Sequence, residues 1–319
     1  MNIQIKKALG LTLVAAALVA AMTPSLPAGA ADKPYVFTTI DFPGSALTQA
    51  LGINAEGDIV GTYKNSATAD NKNHGFVLRG GEFTAINSPF GANYTIATAI
   101  GPTGDIVGYY ESAIGPAGNS HGFVLTNEGQ WMPVEYPGGH LMTGPFRILP
   151  DGTIVGCVHD LPLPAGMHGF VIGPKGISLF DQPASMHMGA TPNGKTIVGY
   201  YTAANTTGGY GTGARTRGYV LDDGDMVPFD VKSSKLTQAM DINPAGVVAG
   251  LYTDLAGTTH GFLVKTSGLA VEDWEYTTID VPGATLTRIR GIDASGDIVG
   301  DYIGTDGRNH GFLASRTSK

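Results

Sequence analysis

The chain has 319 residues, with 19 Lys and Arg against 27 Asp and Glu, a net charge of −8, and only 14% charged residues in all. The acidic balance argues against a nucleic-acid partner, and one cysteine, Cys157, excludes an intramolecular disulfide framework. Glycine stands at 47 residues, a composition suited to short strands and tight turns rather than to helices.

Residues 1–30 read as a signal peptide. Lys6 and Lys7 form a basic start, Ala8 to Met22 is an apolar stretch, and Ala28-Gly29-Ala30 supplies a small-residue cleavage pattern ahead of Ala31. The mature chain, 31–319, is then expected to be secreted or periplasmic. No later stretch reaches the ~18 consecutive apolar residues of a membrane span.

After a first extended run, Phe37 to Gly44, the chain enters a repeat. In its first copy four β-like runs follow one another: strand A from Gln49 to Asn54, B from Asp58 to Tyr63, C from His74 to Leu78 and D from Phe83 to Asn87. Ala55-Glu56-Gly57 and Gly80-Gly81 are turn-forming residues that make A–B and C–D hairpins. The B-strand block Gly-Asp-Ile-Val-Gly-x-Tyr occurs at 57–63, 104–110 and 296–302, with variants at 152–158, 195–201 and 246–252. Each copy is followed by a C-strand tripeptide: His74-Gly75-Phe76, His121-Gly122-Phe123, His168-Gly169-Phe170, Arg217-Gly218-Tyr219, His260-Gly261-Phe262 and His310-Gly311-Phe312.

Six copies of a four-stranded unit predict an all-β, six-bladed β-propeller over 31–319. The last copy ends after strand C, and the spare run Phe37 to Gly44 is the missing strand D, so the N-terminal strand is expected to close the last blade. Its nearest internal relative is Tyr276 to Gly283, as for equivalent outer strands. An open solenoid would need capping repeats, which the pattern lacks.

From about Tyr35 to Leu313 the chain resembles the HAF extracellular repeat family of bacteria. The resemblance rests on the Asp-Ile-Val-Gly-x-Tyr and His-Gly-Phe blocks with the Thr-x-Ile-Asp-x-Pro-Gly-Ala segment between them, and departs from the family in having Gly where Ala is usual. It implies a repeat fold and export, and no particular chemistry.

Two sets of residues are candidates for a role. The first recurs in every blade: His74 is expected opposite Asn87, His121 opposite Glu135, His168 opposite Asp181, Arg217 opposite Asp230, His260 opposite Asp280 and His310 opposite Asp41, with Tyr63, Tyr110, Tyr201, Tyr252 and Tyr302 alongside. A metal or proton-transfer role competes with a clasp that fixes strand register. The clasp fits better, because separate blades keep the imidazoles apart and Arg217 keeps a donor while losing a ligand. No metal and no cofactor is expected.

The second set breaks the repeat. Aligned on Gly52, strand A gives Gly52, Ala99, Arg147, Gly189, Asp241 and Gly291; His187 stands where Ala50, Ala97 and Ala239 stand; Arg288 and Arg290 replace Gln49 and Leu51. Arg147, Asp241, His187, Arg288 and Arg290 are therefore expected to gather at the axial opening, where they bind a carboxylated or sulfated ligand, or supply a general acid and base through His187 and Asp241, or else are solvated channel residues or an internal Arg147–Asp241 ion pair. In blade 3, Cys157, His159 and Asp160 suggest a nucleophile, although Cys157 and His159 are expected to be spread along one strand face. The blade 4 loop, 202–216, lacks a phosphate-binding Gly-x-x-x-x-Gly-Lys pattern and reads as a lid or a linker. The Asp70 to Asn73 loop fits no calcium template. The function expected is an exported, monomeric binding module for a glycan, peptide or protein partner; the alternative is a secreted lyase or hydrolase acting on an anionic polymer or lactone.

Overall fold

The computed structural model describes residues 34–65, 72–90, 92–112, 119–205, 209, 211, 213–266 and 270–316. The expected signal peptide lies outside these residues, as do parts of the 202–216 and Asp70 to Asn73 loops. One compact unit, Tyr35–Lys319, holds the regular structure of the described residues. Among the described residues no helix is long and apolar enough to cross a membrane.

The unit is all-β. After β1 (Tyr35–Ile40) come β2 (Ser45–Ile53), β3 (Ile59–Asn65), β4 (Asn73–Arg79) and β5 (Glu82–Ile86), then β6 (Ala92–Ile100), β7 (Ile106–Ser112), β8 (Ser120–Leu125) and β9 (Trp131–Val134). The third group is β10 (Met142–Ile148), β11 (Ile154–His159), β12 (Met167–Gly173) and β13 (Gly176–Leu179); the fourth is β14 (Ser185–Ala190), β15 (Thr196–Ala203), β16 (Arg215–Asp222) and β17 (Asp225–Phe229). The chain finishes with β18 (Ser234–Ile242), β19 (Val247–Asp254), β20 (Thr259–Lys265) and β21 (Tyr276–Ile279), then β22 (Leu286–Ile292), β23 (Ile298–Ile303) and β24 (Asn309–Arg316). A short 3-10 turn, Val271–Asp273, interrupts the connection from β20 to β21.

Each group is an antiparallel meander, and the last is completed by β1, which pairs with β24 from Tyr35↔Arg316 to Ile40↔Gly311. Single parallel bridges, Leu47↔Asn309 and Met142↔Ser120, tie neighbouring meanders into eight-stranded sheets. The inner strands β2, β6, β10, β14, β18 and β22 each touch the next, and β22 touches β2. Apolar clusters fill the spaces between consecutive meanders, including one that joins Ile40 and Val299 of the last to Ala50, Ile59 and Phe76 of the first.

The repeated glycines have a packing reason. In all six meanders the glycine of the B block pairs with the aromatic of the C tripeptide: Gly61↔Phe76, Gly108↔Phe123, Gly156↔Phe170, Gly199↔Tyr219, Gly250↔Phe262 and Gly300↔Phe312. A Cβ at Gly61 would meet the Phe76 ring at 2.8 Å as well as the Gln49 carbonyl, and the other five are equally blocked. The six rings are completely buried, each worth ~1.5–3 kcal/mol of hydrophobic stabilisation. The tripeptide glycine admits the next meander: a Cβ at Gly122 would lie 2.8 Å from Pro145, at Gly169 2.6 Å from His187 and at Gly261 2.7 Å from Ile289.

The first inner strand, β2, starts four residues earlier than expected, and all six inner strands share an irregularity at one equivalent position, with a second near the start of β2, β6 and β18. The register slips between Ala50 and Gly52, Ala97 and Ala99, Pro145 and Arg147, His187 and Gly189, Ala239 and Asp241, and Ile289 and Gly291. A bulge of this kind re-aims the extra side chain.

Candidate functional site

The six extra residues are Leu51, Thr98, Phe146, Met188, Met240 and Arg290, and all six line one cavity of about 230 Å³. Tyr109, Ile96 and Thr62 add to its wall, so the lining is mainly apolar, with Arg147, Asp241 and Arg290 as its charges. The bulges thus convert six equivalent backbone positions into six convergent side chains. A smaller cavity of about 120 Å³, walled by the A–B turns, shares Arg147 with the first.

The charges form two locked groups. Arg147 Nη1 donates to Asp241 Oδ2 at 3.1 Å, and the same carboxylate accepts the backbone N–H groups of Ile242 at 2.9 Å and Ile292 at 3.1 Å. Asp241 therefore joins β10, β18 and β22. Gly189 leaves room for this link, since a Cβ there would lie 2.7 Å from Asp241 Oδ1. Burial raises the Asp241 pKa, and Arg147 with the two backbone donors only partly offsets it.

The second group centres on Asp301, which is fully buried. Arg288 Nε donates to it at 2.8 Å, Arg290 Nε at 2.9 Å, Asn309 Nδ2 at 3.1 Å and Gln49 Nε2 at 3.4 Å, and Arg288 Nη2 makes a further short contact. Burial would raise its pKa, but the two guanidiniums outweigh it and the net direction is down. Sequence reasoning did not single out Asp301. The signal was present, because the position between Gly and Tyr of the B block holds Thr62, Tyr109, Cys157, Tyr200 and Leu251 elsewhere and is charged only there.

His187 does not join this cluster. It points between the third and fourth meanders, where its Nδ1 lies 2.5 Å from Tyr219 Oη and its ring packs on Phe180 with centroids 5.0 Å apart. The register explains the correction: His187 is the residue before the bulge, on the face that packs against Gly169 of the preceding meander, rather than the extra residue that faces the cavity. Tyr219 Oη donates its proton to the Met186 carbonyl at 2.9 Å, which makes His187 Nδ1 the donor of the shorter bond. Burial pushes the His187 pKa down to about 3. Among the described residues no hydrogen bond or ion pair connects it with Asp241.

Five of the six repeated pairs meet. His74 Nδ1 lies 2.7 Å from Asn87, His121 Nδ1 2.7 Å from Glu135, Arg217 Nε 2.9 Å from Asp230, His260 Nδ1 2.8 Å from Asp280 and His310 Nδ1 2.8 Å from Asp41. Tyr63, Tyr252 and Tyr302 stack on their histidines at 5.1–5.2 Å. The exception is His168, whose Nδ1 donates to the Phe180 carbonyl at 3.2 Å while Asp181 remains exposed. Here Phe180 is drawn onto His187 and Tyr219, and that displaces the carboxylate that was expected to pair. No group of three His, Cys, Asp or Glu side chains among the described residues could hold a metal ion.

In the third meander Cys157 Sγ lies 3.1 Å from His159 Nε2, closer than the expected spread along the strand, because the long imidazole reaches back to its neighbour two residues away. The pair is not an activated nucleophile. Burial pushes the Cys157 thiol up and the His159 imidazole down, so both are held neutral. Asp160 bonds His140 at 2.6 Å instead of orienting His159.

No family model matches the chain, and no curated protein matches it by sequence. Among solved structures it is similar to TolB from Acinetobacter baumannii, with a TM-score of 0.53 and 13% identity over 82% of this chain. It is also similar to the β-propeller domain of the Trilobed protease from Pyrococcus furiosus, with a TM-score of 0.51 and 12% identity over 88% of this chain and 96% of that domain. The fold is propeller-like. The chain spans 65% of the TolB chain it matches, and identities this low speak for fold and not for activity.

In a propeller-like fold the cavity sits where the inner strands converge. Its chemistry is that of a fixed electrostatic lining: guanidiniums that cannot deprotonate, carboxylates already saturated with donors, and thioether and aromatic walls.

Proposed function

We propose that the chain is an exported, monomeric six-bladed β-propeller, four strands per blade, closed by its N-terminal strand, that works as a binding module with its ligand site in the central cavity. The ring is supported by the pairing of β1 with β24, by the contact of β22 with β2, and by the apolar cluster shared between the last and first meanders. Export rests on residues 1–30, and the bacterial HAF resemblance agrees with it.

The observation that carries binding over catalysis is the engagement of every acid at the cavity. A general acid or base needs a free proton position within ~3 Å of the reacting atom. Asp241 is occupied by three donors and Asp301 by Arg288, Arg290, Gln49 and Asn309, while His187 faces elsewhere. Whether the natural ligand is a glycan, a peptide or a group on a protein partner, it meets an apolar socket with cationic corners.

A thermal-shift screen of the purified protein with glycans, peptides and small acids tests this. A ligand at ~100 times its Kd adds ~2.7 kcal/mol to stability, a readily measured rise in Tm. Leu51→Trp, which fills the cavity from a bulge position, should remove that rise. Retention of every rise in the Leu51→Trp protein would place the ligand site elsewhere.

A further inference from the structure

We infer that the central cavity selects a carboxylate with an apolar body, gripped by Arg290 and Arg147; this rests on the cavity being the ligand site. Among the described residues three arginines, Arg147, Arg288 and Arg290, pair with two carboxylates, Asp241 and Asp301, so the paired groups leave one positive charge over. Arginine cannot shed that charge by losing a proton, and a cavity walled by Leu51, Ile96, Phe146 and Met240 solvates it poorly.

The donor count points the same way. Arg290 uses only Nε on Asp301, and Arg147 uses only Nη1 on Asp241. Neither guanidinium has a nitrogen that is both buried and unpartnered, so the remaining N–H groups are accessible, and both side chains line the cavity. Two guanidiniums with free donors at one cavity match a carboxylate, which accepts paired N–H bonds in a plane. A bare anion such as sulfate would leave the thioether and aromatic walls unused. A volume of about 230 Å³ exceeds the ~150 Å³ that holds a benzene ring, which allows a ring plus a short acidic arm. The same chemistry is offered by a free acid and by a peptide chain ending in an apolar residue.

The test is calorimetric titration of the full chain with 3-phenylpropanoate, its primary amide and 3-phenylpropylammonium, and in parallel with Gly-Gly-Gly-Gly-Phe and its C-terminal amide. The expected result is saturable binding of the free acid or the peptide acid, at least tenfold weaker binding of the matching amide, and none of the ammonium. The tenfold step corresponds to ~1.4 kcal/mol, the low end for a hydrogen bond to a charged group. Arg290→Met should weaken the acid at least tenfold and abolish the preference over the amide, while Arg290→Lys keeps part of it. If Arg290→Met does not fold, the ligand series on the unaltered chain decides alone. Equal binding of acid and amide, blocked by Leu51→Trp, overturns the charge selection while leaving the site. Absence of binding by all five compounds up to about 10 mM, beyond the weakest affinities worth calling specific, overturns the inference altogether; binding unaffected by Leu51→Trp overturns the site itself.

Discussion

His187 makes a quantitative prediction about acid lability. Its folded-state pKa is held down to about 3 by burial between Phe180 and Tyr219, against ~6.5 for an unperturbed imidazole in the unfolded chain. A depressed folded pKa means that the unfolded state binds the extra proton, so stability falls as pH drops below ~6.5 and continues to fall until pH ~3. Between pH 7 and pH 4.5 this single group should remove about 2.5 kcal/mol. Carboxylates and other histidines titrate in the same window, and the comparison of His187→Asn with the unaltered protein cancels them. The assay is urea unfolding followed by the fluorescence of Trp131 and Trp274 at both pH values. His187→Asn should show a pH-dependent loss smaller by about 2.5 kcal/mol, whatever its stability at pH 7. Identical pH dependence in the two proteins would refute the assignment of a buried, neutral imidazole at this position.

Asp301→Asn leaves Arg288 and Arg290 side by side without their carboxylate, and should cost ~3–5 kcal/mol in urea unfolding; a loss under ~1 kcal/mol would mean that the pairs are solvated rather than buried. For His310, burial works downward, but hydrogen bonds to Asp41 and Asp306 prevail and its pKa is raised. The clasp between β24 and the end of β1 therefore contributes fully at low pH and weakens as pH rises through the folded-state pKa. An NMR titration should find the His310 pKa lower in Asp41→Asn, and an unchanged value would contradict the pairing. Cys157, buried and with its thiol pKa pushed up, should resist a disulfide reagent in the native protein and react only on unfolding; fast native labelling would show that the thiol is open to solvent.

Much of the fold was legible because the chain repeats it. The Gly–aromatic register of each meander follows from two motifs at constant separation, and the role of Phe37 to Gly44 followed from a strand short at one end and spare at the other. The alignment of Arg147, Gly189 and Asp241 also matches the observed level, Arg147 opposite Val155, Gly189 opposite Val198 and Asp241 opposite Ala249. What the sequence did not disclose is the bulge. Alignment of equivalent repeat positions put His187 with the arginines, whereas the extra residue at the shared bulge sends Met188 to the cavity and His187 to the neighbouring meander. Asp301 escaped notice for a related reason: its strand partner Arg288 and its near neighbour Arg290 were noticed on β22 alone, without asking what sat opposite on β23. His168 shows that pairing by register is necessary and not sufficient, since the packing of one aromatic, Phe180, moved the acceptor.

The six converging bulges can be watched directly through their methionines. Met188 and Met240 line the cavity, whereas Met132 is exposed on β9 and Met226 sits on β17. With the methionine methyl groups carbon-labelled, addition of 3-phenylpropanoate should shift the Met188 and Met240 resonances together, in one saturable transition, and leave Met132 and Met226 in place. Shifts at Met132 or Met226 with Met188 and Met240 unmoved would contradict a ligand site where the inner strands converge.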